Sequence, residues 1–342
     1  MISHIVVVGW ILERRYDFRK YISEIFDIPR LERALQLPVL EWQQVKDRNS
    51  SEVDGLGCWN IYQVDDLHAQ GPRQSRNVMD LKLNISYILA PQNVKLIPGF
   101  EHDQHSSFWT LAPLAYSESR KKALEYIPHT GSSLLPDEHL LCYDYLFYVC
   151  ADVPFEYEND DYPVWDIVLK HFRWSSKIEK IGNDYLRHIM NIPDHEDIPP
   201  YITIHARHGD FQGWCNGLDR DACFAPVSVF AIRVAEIQEE LREKKGIDVK
   251  HVIMTSDEQD PKWWSQVNEA GWLRIDHDLY HTAEVYGEWS PVVIDAYVQS
   301  QGIGFVGTDR STFSIIARRR VLEWNGGVIR NVKWGAPDAD VH

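Results

Sequence analysis

The sequence predicts an α/β fold whose C-terminal half is a parallel sheet of βα units. Short apolar runs alternate there with helical segments of ordinary length, and this alternation is typical of βα units. The predicted strands are 201–205, 249–254, 273–275 and 302–306, and the predicted helices are 227–245, 261–270, 291–300 and 311–321. Ligands of such sheets bind at the carboxyl ends of the strands, so we expect the chemistry just after His205, Met254 and Val306.

The N-terminal half gives a less regular pattern. Residues 4–11, 38–42 and 81–89 predict strands, residues 29–37 predict a short helix, and the polar stretch 47–77 predicts a long loop. Segment 140–150 is either a helix or a buried strand, and the apolar spacing over 164–190 predicts a helix or a helix pair. Three prolines interrupt residues 192–200, and this break predicts a domain boundary that gives domains 1–195 and 196–342.

Composition excludes several classes of protein. The net charge of −16 would repel a nucleic-acid backbone, so we expect no nucleic-acid partner. No run approaches the ~20 apolar residues of a transmembrane segment, and the apolar run 5–11 lacks the basic leader of a signal peptide. Without a C-x-x-C pair a zinc ribbon is not expected. Cys215 and Cys223 flank a short loop and could form a disulfide, although ordinary thiols would fit the composition equally well.

Polar residues follow two of the predicted strands closely. Arg207 comes after the first strand, and an arginine in that position needs an anionic partner, either a bound phosphate or the carboxylate of Asp210. Asp257 comes after the second strand. A carboxylate there accepts from a ribose or nucleobase in many α/β proteins, but it would also serve as part of a helix cap.

A third polar group opens the last predicted helix. Gly307 ends the preceding strand, and Ser311 and Thr312 begin the helix. The amides of a first helical turn form an anion site, and the helix dipole favours negative charge there. Ordinary capping of the helix by these side chains, without any ligand, would use the same geometry. Each of the three groups is a modest signal alone, but together at one sheet edge they predict a site for a phosphate-bearing ligand.

These motifs resemble those of the protein O-fucosyltransferases and their α1,6-fucosyltransferase relatives. His205-x-Arg207-x-x-Asp210, continued by Phe211, resembles the H-x-R-x-x-D element of that family. Three further segments resemble family elements: 255–258 (Thr-Ser-Asp-Glu), 304–308 (Gly-Phe-Val-Gly-Thr) and 311–314 (Ser-Thr-Phe-Ser). Segments 27–31 and 38–42 look like the region after the family's first helix, so the resemblance covers most of the chain.

The resemblance implies a GT-B-type fold, with two Rossmann-like domains and a cleft between them that holds the sugar donor. It implies an inverting, metal-independent glycosyltransferase without a cofactor, which transfers fucose from GDP-fucose to a protein or glycan hydroxyl. Arg207 would be catalytic, at the β-phosphate and the leaving oxygen. The residues implied at the donor nucleotide are His205, Asp210, Asp257, Ser311, Thr312 and Phe313. A location in the secretory pathway, in the lumen of the ER or Golgi, is implied as well.

The sequence leaves other functions open. Many relatives have arginine at the position of His208, and a Gly/Asn-rich element that opens the family's first helix has no counterpart here. We therefore expect either a truncated or alternative form or a different means of acceptor activation, and we assign no general base. A catalytically inactive nucleotide- or glycan-binding protein of the same fold is the alternative. A metal-dependent transferase would use the D-x-D at 276–278, and a Rossmann oxidoreductase is disfavoured because no G-x-G-x-x-G follows a strand.

Overall fold

The computed structural model describes residues 6–8, 22–47, 49–64, 71–73, 78–79, 81–97, 105–125, 134–159 and 162–340. Its contacts divide the chain into two compact units, one of residues 1–21 and 36–166 and the other of residues 22–35 and 167–342. The second unit thus starts earlier than the predicted boundary at 195/196, because residues 22–35 and the helix Ser176–Met190 pack within it. No helix in the described ranges is long and apolar enough to cross a membrane.

Within its described residues, the first unit contains three two-stranded parallel pairs. The pairs are β1 (Val6–Val8) with β2 (Val39–Glu41), β3 (Asp54–Asn60) with β4 (Leu83–Leu89), and β5 (Ser106–Ser107) with β6 (Val149–Cys150). Its helices are Trp42–Val45, Phe108–Leu111, Ser117–Glu125 and Pro163–Ile167, with 3-10 turns at Gln92–Val94, Ala112–Ala115 and Glu156–Glu158. A disulfide joins Cys58 on β3 to Cys142.

The prediction of a long loop over 47–77 is wrong in part, because strand β3 lies within it. Its sequence is rich in glycine and has little apolar alternation, so the strand is defined by its pairing with β4 rather than by a local pattern. A Cβ at Gly57 would collide with the carbonyl oxygen of Leu135, so the absence of a side chain lets a neighbouring segment pack directly on the strand. Of segment 140–150, only Val149–Cys150 is regular structure. The predicted strand 4–11 is described at 6–8 alone, and its other residues lie outside the described ranges.

The second unit contains a four-stranded parallel sheet, which confirms the predicted α/β class. Its strands are β7 (Tyr201–Ala206), β8 (His251–Ser256), β9 (Gly304–Thr308) and β10 (Val328–Val332), in the order β10-β9-β7-β8. The edge strand β10 has no counterpart in the sequence prediction, and the predicted strand 273–275 is reduced to one bridge between Leu273 and Ile253. Every residue of β7 is buried, as expected for a central strand.

The helices of the second unit include the four that the sequence predicts at 227–245, 261–270, 291–300 and 311–321. They are Ile22–Ile25, Ile28–Leu35, Ser176–Met190, Arg220–Cys223, Val227–Lys245, Pro261–Glu269, Thr282–Tyr286, Ser290–Gln301 and Thr312–Asn325, with 3-10 turns at Leu169–His171 and Gly209–Trp214. The helix Val227–Lys245 has the predicted bounds, and Gly246 ends it with φ of 66°. Its buried Phe230, Val234 and Ile237 lie in one apolar cluster with Ile202 and Ile204 of β7. The same cluster contains residues of β8, β9 and β10, so the core extends under all four strands.

Candidate functional site

The predicted site residues lie at the carboxyl ends of β7, β8 and β9. In the register of the sheet, His205 on β7 pairs with Thr255 on β8 and with Gly307 on β9. The segment after β7 therefore runs between the segments that follow its two neighbours. This is the strand-end arrangement that the βα pattern predicts.

His205 packs against the start of the helix Thr312–Asn325. Its Nδ1 lies 2.7 Å from the hydroxyl of Ser314, and its ring centroid lies 4.9 Å from that of Phe313. Ser311 is the N-cap of the helix, because its hydroxyl accepts from the amide of Ser314 at 3.4 Å. Thr312, in contrast, is exposed. His205, Ser311, Phe313 and Ser314 thus form one packed group at the helix N-terminus.

Arg207 forms a second group with two carboxylates. One terminal nitrogen of its guanidinium donates to Asp257 and the other to Asp210, each at 2.5 Å. The side chain of Asp210 is 71% exposed, whereas that of Asp257 is 27% exposed. Asp257 is held further by the backbone amide of His208, which donates to its other oxygen at 2.8 Å. Asp210 is therefore the more easily replaced of the two partners.

Thr308 at the end of β9 connects the two groups. Its hydroxyl donates to the carbonyl of His205 at 3.0 Å and accepts from the amide of Arg207 at 2.9 Å. Its own amide donates to the hydroxyl of Ser314 at 3.1 Å. The backbone at Arg207 is consequently fixed to the strand that leads into the capped helix, while the guanidinium itself extends toward β8.

A buried network behind Arg207 was not predicted from the sequence. Glu258, whose side chain is 1% exposed, accepts from Arg220 and from the backbone amides of Gln259 and Asp260 at 2.6 and 2.7 Å. Its other contact is with Nδ1 of His208 at 2.7 Å. The network ties the ends of β7 and β8 to the helix Arg220–Cys223, and the only sequence signal for it was the position of Glu258 in the 255–258 motif.

Gly209 allows the Arg207–Asp257 pair to form. A Cβ at this position would collide with the carboxylate of Asp257, so any other residue would push that carboxylate away. The predicted cysteine pair lies nearby, and the structure joins Cys215 to Cys223. The disulfide packs with Phe224, Phe211 and Trp334 in a small apolar cluster that supports the loop after Arg207.

Both histidines of the site are neutral at physiological pH. Burial, with smaller contributions from Arg207 and His208, lowers the pKa of His205 to about 3. Burial and the neighbouring Arg220 lower the pKa of His208 to about 4, against an opposing effect of Asp257. His205 can therefore take part in hydrogen bonds to a ligand without adding charge to the site.

The D-x-D at 276–278 has structural contacts of its own. The two carboxylate oxygens of Asp276 accept from Arg274 at 2.9 Å and from the amide of Leu279 at 3.1 Å. His277 lies 3.0 Å from the carboxylate of Asp295 and 3.1 Å from the hydroxyl of Thr282. Over the described ranges, no group of three or more His, Cys, Asp or Glu side chains is placed to hold a metal ion.

Comparison with known proteins gives structural likeness only. No family model matches the chain, and no curated protein matches it. The chain is similar to the crystal structure of POFUT1 in complex with GDP-fucose, with 16% identity, a TM-score of 0.48 and coverage of 92% of this chain and 84% of that one. It is also similar to NodZ alpha-1,6-fucosyltransferase soaked with GDP-fucose, with 15% identity, a TM-score of 0.30 and coverage of 51% of both chains.

Proposed function

We propose that the chain is a glycosyltransferase whose sugar donor binds through its diphosphate at the carboxyl ends of β7 and β9. One observation carries the proposal: Thr308 fixes the backbone of Arg207 to the strand that leads into the capped N-terminus of the helix Thr312–Asn325. A guanidinium and the amides of a first helical turn are both hydrogen-bond donors suited to phosphate oxygens. Here they follow adjacent strands of one sheet.

The sugar and the reaction come from the motifs. Their resemblance to the protein O-fucosyltransferases supports transfer of fucose from GDP-fucose to a protein or glycan hydroxyl, with inversion and without a metal. Departure of GDP builds negative charge on the diphosphate, and Arg207 would stabilise that charge more in the transition state than in the ground state. His205 and Asp257 would lie at the nucleoside, and Ser311, Thr312 and Phe313 would hold the phosphates.

Binding of the diphosphate requires that Arg207 change partners. An ion pair with a largely exposed carboxylate such as Asp210 contributes only about 0–1 kcal/mol. A phosphate oxygen can take its place at little cost, while Asp257 keeps the opposite side of the guanidinium in position. Asp210→Asn should therefore preserve or strengthen GDP binding, whereas Asp257→Asn should weaken it.

Binding is tested by thermal unfolding in the presence of GDP, UDP or NAD. A ligand at 100 times its Kd stabilises the folded state by about 2.7 kcal/mol. We expect GDP, but neither UDP nor NAD, to raise the Tm, and we expect Arg207→Ala to abolish the effect. Arg242→Ala, at an exposed position of the helix Val227–Lys245, is the matched control and should respond as wild type does. A GDP response that survives Arg207→Ala would refute the proposed site.

Catalysis is tested separately by hydrolysis of GDP-fucose, with and without EDTA. Turnover that EDTA leaves unchanged and that Arg207→Ala removes supports the transferase. Tight GDP binding without turnover would instead favour the inactive binding protein, and turnover lost in EDTA would favour the metal-dependent alternative.

The secretory pathway is part of the same proposal. Two disulfides, Cys58–Cys142 and Cys215–Cys223, suit an oxidising compartment. Detection of both bonds in protein recovered from its native compartment would support this location, and recovery of the thiols in reduced form would contradict it.

A further inference from the structure

Two arginines of the second unit lie against the same tryptophan, away from the proposed sugar-donor site. The guanidinium carbon of Arg173 is 4.0 Å from the centroid of the Trp324 ring, and that of Arg320 is 5.1 Å from it. Arg320 also lies 4.5 Å from the ring centroid of Trp174. We call Arg173, Trp174, Arg320 and Trp324 the arginine–tryptophan cluster.

The surrounding elements hold this cluster in place. Trp174 forms an antiparallel bridge with Phe26, and its indole nitrogen donates to the hydroxyl of Ser300 at 2.8 Å. The indole nitrogen of Trp324 donates to the carbonyl of Lys170 at 3.2 Å. Since both indoles are hydrogen-bonded at their polar edges, their rings form fixed walls for the two guanidinium groups.

The cluster has more positive charge than its surroundings balance. Arg320 is only 7% exposed, and within the described part of the chain no carboxylate lies within ion-pair distance of either Arg173 or Arg320. The Nε of each is sealed from solvent without a hydrogen-bond acceptor, so an added anion would have to bind the terminal nitrogens. A buried cation is unfavourable unless it is paired and hydrogen-bonded, and stacking on rings satisfies none of the N–H donors.

The electrostatics of the cluster agree with this geometry. Burial and the neighbouring Arg173 lower the pKa of Arg320 to about 9. Burial and Arg30 lower the pKa of Arg173, against a smaller opposing effect of Glu323. Arg173 therefore repels both Arg30 and Arg320, and an anion in contact with Arg173 and Arg320 would offset that repulsion.

We propose that the arginine–tryptophan cluster binds a small tetrahedral oxyanion, phosphate or sulfate, in contact with Arg173 and Arg320. Planar guanidinium groups match the oxygens of such anions and can share one anion between them. The site is distinct from the proposed sugar-donor site. Arg320 lies eight residues after Thr312 along the same helix, which at 1.5 Å per residue places it about 12 Å from the helix N-terminus.

The test is thermal unfolding during titration with sulfate against chloride at constant ionic strength, repeated with phosphate. Wild type should show a saturable rise in Tm in addition to the gradual, unsaturated stabilisation that sulfate gives many proteins. Arg320→Met should lose the saturable part and keep the gradual one. Because this variant removes a buried charge without a partner, its Tm in chloride should equal or exceed that of wild type.

Two further variants keep the proposal falsifiable. Arg207→Ala should retain the saturable response, which separates this site from the sugar-donor site whatever the outcome for GDP. Arg173→Gln, at a partly exposed position, should raise the midpoint concentration of sulfate roughly tenfold, because it removes hydrogen bonds to a charged group. Equal sulfate responses in wild type and Arg320→Met, or loss of the response in Arg207→Ala, would overturn the proposal.

Discussion

Acidification should destabilise the protein through two buried histidines, His205 and His208. In the folded state burial lowers their pKa values to about 3 and about 4, whereas in the unfolded chain each has a pKa near ~6.5. Between these values the unfolded chain binds protons that the folded chain does not. The contribution of neutral, buried histidine is therefore fully present above pH ~6.5 and is lost as the pH falls toward 4 and then 3.

The size of the effect follows from the pKa shifts. Each pH unit below ~6.5 costs about 1.4 kcal/mol per histidine that stays neutral in the folded state. At pH 5 both folded-state pKa values are still below the pH, so each histidine should lower the free energy of unfolding by about 2 kcal/mol. Together the two account for a loss of about 4 kcal/mol relative to pH 7.5.

The assay is urea unfolding at pH 7.5 and pH 5.0, followed by the fluorescence of the thirteen tryptophans. Each of the variants His205→Gln and His208→Gln should show a decrease in the free energy of unfolding from pH 7.5 to pH 5.0 that is smaller than that of wild type by about 2 kcal/mol, since glutamine does not titrate. This difference does not depend on how much stability the substitution costs at pH 7.5. His195→Gln is the control, because that imidazole is 82% exposed and is solvated similarly in both states. If both buried-site variants lose as much stability as wild type between the two pH values, the assigned environments of these histidines are wrong.

Two other predictions concern the loop after Arg207 and the disulfides. Gly209→Ala should weaken GDP binding in a titration while the fold is retained, because the added Cβ would collide with the carboxylate of Asp257. Gly213→Ala is the control and should bind GDP as wild type does, because a Cβ at that position meets open space. In urea unfolding, Cys58→Ser should lower the free energy of unfolding by about 4.5 kcal/mol and Cys215→Ser by about 2.5 kcal/mol, since the bridges close loops of very different length, with separations of 84 and 8 residues. The reverse order of the two losses would contradict this account.

The elements that the sequence predicts well are those with their own local signals. The helix Val227–Lys245 combines a helical apolar stripe with a glycine at its end, and the structure reproduces its predicted bounds. Strands β3 and β10 lack such signals. The pairing of β3 with β4 and of β10 with β9 defines them, and a single sequence read by local patterns cannot show which segments will meet.

The site shows the same division between local and long-range information. Topology alone brought the residues after β7, β8 and β9 to one edge, and the Arg207–Asp210 contact spans only three positions. The contact of Arg207 with Asp257 spans 50 residues, and that of Arg220 with Glu258 spans 38. Such contacts depend on how the loops after the strands pack against one another, and residue spacing alone does not predict that packing.

The charge balance at the strand ends limits how the proposed sugar donor can bind. In this structure one guanidinium faces two carboxylates, so Arg207, Asp210 and Asp257 together carry a net charge of −1 and would repel a diphosphate. The neutral His205 adds no positive charge, and the helix N-terminus contributes only about half a unit. Attraction therefore requires that Asp210 leave the guanidinium. Because the side chain of Asp210 is largely exposed, breaking its ion pair with Arg207 costs little free energy. Asp257, which the amide of His208 holds in place, then keeps Arg207 directed at the ligand.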